Sequence, residues 1–145
     1  MTPLKLAALD SEDLSVVSAH VQDAVLMVKD LRWRPADQRF VVALNRYAWE
    51  AKGKRRDPGQ RRQAVLDFAR VTAARAMKLR RDVPDAVLSL LAVTFEETEA
   101  PAGRITLHFS GGGSMELEVE CIEVTLTDLG SAWAAQARPE HDLSD

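Results

Sequence analysis

Residues 32–56 hold the groups best suited to grip a ligand: Arg32-Trp33-Arg34, Arg39, Asn45-Arg46-Tyr47, Trp49 and the run Lys52-Gly53-Lys54-Arg55-Arg56. Cations interleaved with aromatic rings are what a polyanion with stacking bases requires, the cations for phosphates and the rings as platforms. Arg32, Trp33, Arg34, Asn45, Arg46, Trp49, Arg55 and Arg56 are therefore the candidate binding residues. Long arginine stems also cover sheet edges, so the same residues suit a solvated protein surface.

Other chemistry finds less support. His20, His108 and His141 are the residues suited to acid–base work near neutral pH, but no serine or cysteine beside them has a nucleophile's context, and HExxH is missing. An enzyme acting on a small acid would have to use His108 or Glu50 as base, and no residue is assigned a catalytic role. Glu116, Glu118 and Glu120 alternate with apolar residues, as on the solvated face of a half-buried strand, whereas a calcium site would need its oxygen ligands on a turn. No metal ligands and no cofactor are expected. Gly111-Gly112-Gly113 has neither GxxxxGK[ST] nor GxGxxG spacing, and a strand-like run follows it, so the bend of a hairpin is expected there.

Charge is segregated along the chain. The net charge is only −3, yet residues 29–81 contain sixteen Lys and Arg against five Asp and Glu, and the remainder contains three against seventeen. An acidic half would repel a polyanion and attract the basic half, so charge complementarity within the chain, or between two copies, is favoured over nucleic-acid binding. In particular, the acidic alternating strand is expected to lie against a basic strand of the other half.

At 145 residues the chain suits a single domain, expected over 1–135 with a flexible tail at 136–145. The single cysteine, Cys121, cannot form an internal disulfide. With no long apolar run and no signal-peptide pattern, a cytoplasmic protein that does not enter membranes is expected.

The elements that must position these residues are mostly strands. "DSEDLSVVSAHVQ" (10–22) reads as a short helix capped by Asp10 or Ser11. "AVLMVKDLRW" (24–33) and "RFVVALNRYAWE" (39–50) read as two strands of a hairpin around Pro35 and Asp37. Segment 61–79 fits either a helical stripe or a strand whose alternation slips near Phe68. The strand from Ser114 slips in the same way, as a β-bulge would produce, and "LDFARVTA" (66–73) aligns with "VECIEVTL" (119–126) at the slip. With "VLSLLAVTF" (87–95) and "RITLHFS" (104–110) repeating the earlier order, the chain reads as two similar three-strand meanders, about 24–79 and 87–129. The expected fold is mainly β: an antiparallel curved sheet or barrel-like sandwich with one N-terminal helix, a pleckstrin-homology-like barrel being one form. The alternative is α+β with a helix at 61–79.

Three strings, "LNRYAWE" (44–50), "PDAVLSLLAVTFE" (84–96) and "GGGSMELEVECIEVTLTDLG" (111–130), resemble a family of small alphaproteobacterial proteins known as domain of unknown function 2948. The resemblance implies a free-standing cytoplasmic bacterial protein and supports the strand reading; it carries no activity, cofactor or catalytic residue. The leading functional expectation is a non-enzymatic binding or adaptor module that uses charge-segregated faces or sheet edges to take a protein partner or a second copy of itself. The alternative is a binder of nucleic acid or another anion through residues 32–56.

Overall fold

The structure, a computed structural model, describes residues 4–47 and 61–129. Its strands are β1 (Lys5–Ala8), β2 (Ala24–Met27), β3 (Leu31–Arg34), β4 (Arg39–Tyr47), β5 (Arg61–Phe68), β6 (Val71–Met77), β7 (Val87–Glu97), β8 (Gly103–Phe109), β9 (Ser114–Val119) and β10 (Val124–Asp128). One helix, α1 (Ser11–His20), lies between β1 and β2. The fold is mainly β with an N-terminal helix, and segment 61–79 is strand, not helix.

All pairings are antiparallel, in the order β1-β10-β5-β4-β2-β7-β8-β9-β6, with β3 added to β4. The sheet is curved but does not close, since the path begins at β1 and ends at β6. It bends because β5 runs into β6, and β9 into β10, around a shared corner. There Arg70 takes a left-handed backbone (φ 61°), Ala69 N donates to Glu123 O, and Glu120 N donates to Arg70 O. The slips in alternation mark this corner. In the second strand the sequence suggests a one-residue bulge, whereas the structure interrupts the strand over residues 120–123.

Strict alternation fills the interior. Phe40, Val42 and Leu44 of β4, Leu66 and Phe68 of β5, Ile105, Leu107 and Phe109 of β8, Leu117 of β9 and Leu126 of β10 point inward and are buried. Burial at about 25 cal/mol per Å² of apolar surface is the main stabilising contribution of such a core. The helix adds Leu14 and Val17 to it. Its N-terminus is fixed by Asp10, whose carboxylate accepts from Asp13 N at 2.7 Å.

Two details depart from the sequence expectation. The run 24–33 is not one strand: a single turn at Val28–Asp30 divides β2, which pairs with both β4 and β7, from β3, which pairs with β4 alone. Asp30 enforces the break by accepting from Met27 N at 2.9 Å. Strand β1 was not expected, because four residues hold too little alternation to be read; its ladder to β10 forms it.

Candidate functional site

Arg46 is the residue whose position matters most. Alternation along β4 puts it in phase with Phe40, Val42 and Leu44, so its guanidinium enters the interior and its side chain is fully buried. On β10 the same rule puts Asp128 in phase with Val124 and Leu126. The two meet in a two-pronged pair: Nε donates to Oδ1 and Nη2 to Oδ2, both at 2.8 Å. Nη1 donates to Tyr47 O at 2.9 Å, and Asp128 Oδ2 accepts from Leu4 N at 3.0 Å. Asp128 N donates in turn to Leu4 O, so the pair ties β4, β10 and the chain leading into β1 together. A parallel fork of charge-assisted bonds suits arginine and carboxylate geometry, and burial makes each charge depend on the other. Asp128 was not among the sequence candidates, although its place in an inward phase was the available signal.

On the outer face the acidic strand does meet a basic strand from the other half. Glu116 of β9 lies opposite Arg75 of β6 and is bonded to it. That bond holds the Glu116 carboxyl below its usual range. Across the corner Arg70 pairs with Glu123 at 3.2 Å. The neighbouring Arg104 of β8 bonds Glu118 at 2.8 Å, which raises its own pKa further. Arg39 pairs with Asp67 at 3.0 Å and Arg34 with Asp37 at 2.6 Å. Exposed pairs of this kind add little stability; Arg75–Glu116 and Arg70–Glu123 join the basic and acidic halves, whereas Arg39–Asp67 and Arg34–Asp37 lie within the basic half and Arg104–Glu118 within the acidic one.

The remaining candidate binding residues that the structure describes are placed as follows. Trp33 turns inward, partly buried, and stacks on Phe40 with ring centroids 6.5 Å apart. Arg32 and Asn45 are exposed on different strands, β3 and β4. Trp49, Arg55 and Arg56, with Glu50, lie outside the described residues. His108 faces outward opposite Ala92 and shares a 2.8 Å hydrogen bond with the Thr94 hydroxyl. His20 bonds the Val16 carbonyl.

The glycines form the β8–β9 bend. Gly111 and Gly112 have φ of 85° and 92°, values that favour glycine, and Phe109 N donates to Gly113 O to close the loop. Gly113 is needed for space: a Cβ there would lie 2.5 Å from Leu79 Cδ2 and 2.9 Å from Lys78 O. No group of three or more His, Cys, Asp or Glu able to hold a metal ion occurs among the described residues. No described helix is long and apolar enough to cross a membrane.

The family model described as protein of unknown function (DUF2948) matches residues 4–141, nearly the whole chain. The chain belongs to this family. Among curated proteins none matches the sequence. Membership brings no activity with it, so what this DUF2948 member can do has to be read from its surface.

A further feature of the described surface is the edge of the sheet. β1, β3 and β6 each have one hydrogen-bonded strand neighbour among the described residues. β1 is four residues long and has α1 packed against it. β3 is also four residues long, with Arg32 and Arg34 exposed. β6 runs for seven residues; Val71 N donates to Gln38 O, which leaves residues 72–77 with no strand on their second side among the described residues.

Proposed function

We propose that this protein is a cytoplasmic, non-enzymatic binding module that captures its partner by adding a strand to an open edge of its sheet. The observation that carries this reading is the β6 edge, which over residues 72–77 has no second strand beside it among the described residues. A strand edge presents alternating N–H and C=O groups that can template a further strand, and protein-recognition domains use such edges in this way. Internal pairing of Arg46, Arg70 and Arg75 with Asp128, Glu123 and Glu116 supports edges over charged faces as the contact. It also weakens the alternative of anion binding through residues 32–56, since Arg46 is buried and Arg34 is paired.

The test is selection of a library of displayed extended nonapeptides on the full chain, followed by amide-exchange mapping of each enriched sequence. Enriched peptides should slow exchange along β3 or β6. If every enriched peptide protects residues away from strand edges, the proposed mode of capture is wrong.

A further inference from the structure

We infer that the edge taken is β6, and that its occupant is an acidic, extended peptide lying antiparallel to it with its acidic end beside Lys78 and Arg81. This rests on the strand-capture reading and adds to it the edge, the direction and the chemistry of the partner.

Protein edges are ordinarily guarded by charged side chains, proline, bulges or shortness, and β6, "VTAARAM", has little of this protection. Its N-terminal end is covered, since Val71 N donates to Gln38 O, and its one irregularity is a register shift at Val71/Ala73, next to the corner. Its only charged residue, Arg75, is bonded to Glu116 on the strand already paired with β6. Ala73, Ala74 and Ala76 are small, so the backbone between them is accessible. On the inward face Ala74, Ala76 and Leu79 are partly buried against the core, which leaves apolar surface for inward-facing side chains of an added strand.

The charge of the occupant follows from what flanks the edge. Lys78 and Arg81, just beyond the C-terminal end of β6, are exposed and have no ion-pair partner among the described residues. Arg80, between them, makes only a 3.7 Å contact with Asp82, both side chains more than 70% exposed. Every pairing in the sheet is antiparallel, and an antiparallel addition to β6 puts the N-terminal end of the peptide at these cations. A second copy of β6 fits poorly. Antiparallel self-pairing would set Lys78 and Arg81 of one chain near Arg70 of the other, whose charge already has Glu123.

The probe is a fluorescein-labelled nonapeptide of four acidic residues followed by alternating Val and Thr, titrated into the full chain by anisotropy, with amide exchange measured in parallel. Saturable binding is expected, with protection gained along β6. The double variant Lys78→Glu/Arg81→Glu should weaken it at least tenfold, and raising salt from 0.05 to 0.5 M should weaken it similarly. Equal affinity for the variant, or for an all-aspartate nonapeptide, would overturn the inference. So would protection already complete along β6 in the free chain, or a β6-mediated dimer in sedimentation. Exchange mapping on the unmodified chain decides between these outcomes even if the variant misfolds. Protection along β3 instead of β6 would refute this assignment and leave strand capture standing, whereas failure of every extended peptide to bind would remove both.

Discussion

Replacing Asp128 with alanine should cost about 3–5 kcal/mol, because it leaves the Arg46 guanidinium charged, buried and without its carboxylate. The structure sets the size of this effect. The side chains of Arg46 and Asp128 are 0% and 1% exposed, so water cannot replace the two 2.8 Å bonds without opening the fold. The same substitution removes the acceptor for Leu4 N and loosens the entry to β1. For a chain whose total stability is on the order of 5–15 kcal/mol, this is a large fraction. With a urea dependence of about 2 kcal/mol per M, the unfolding midpoint should fall by about 2 M. The control is the double variant Arg46→Met/Asp128→Leu, which removes both charges and keeps apolar volume. It should lie within about 1 kcal/mol of the natural chain or above it, since apolar replacement of buried ion pairs is often neutral or stabilising. Urea denaturation of the natural chain, Asp128→Ala and the double variant decides the matter. A loss below about 1 kcal/mol for Asp128→Ala would refute the buried pair, and a double variant as unstable as the single would refute mutual dependence of the charges.

Asp10→Ala removes the N-cap of α1 and should lower stability by about 1 kcal/mol, measured as a shift of the thermal midpoint. Gly113→Val drives a side chain into Leu79 and the Lys78 carbonyl and should cost about 1–3 kcal/mol by overpacking, whereas a glycine-tolerant open bend would leave the melting temperature unchanged. The folded-state pKa of Glu116 is lowered by its bond to Arg75. Its contribution is therefore complete above the ordinary glutamate value and is lost as pH falls through the lowered folded value. Glu116→Gln should accordingly be less stable than the natural chain near neutral pH and converge with it in acid, as followed by denaturation midpoints across the acid range. A constant difference at all pH values would show that the Arg75 bond is not its source.

The β class was legible because alternation is strict where strands are half-buried: Met115, Leu117 and Val119 against Glu116 and Glu118 give the β9 faces directly. The phase slips near Phe68 and Cys121 were visible too. A corner and a one-residue bulge leave the same trace in sequence, however, and only the left-handed turn at Arg70 and the break at 120–123 separate them. Strand β1 was invisible for a different reason, because its formation depends on a partner more than a hundred residues away.

At the site, residue type and strand phase point in different directions. Arg46 beside Tyr47 and Trp49 looks like a binding cluster when neighbours are read along the chain. Counted every second residue from Phe40, it falls in the interior, as Asp128 does when counted from Val124. Two opposite charges in inward phase on different strands predict a buried pair, and that signal was available in the sequence. That β6 would have no second strand neighbour among the described residues was not, because pairing partners follow from topology and not from composition.

Residue-resolved amide exchange on the free, full-length chain tests the central claim, that β6 is an open edge, most directly. The outward-facing N–H groups between Ala73 and Met77 should exchange orders of magnitude faster than those of β8, which is paired on both sides. Uniform protection of β6 at the level of β8 would show that its edge is already covered and would contradict the account.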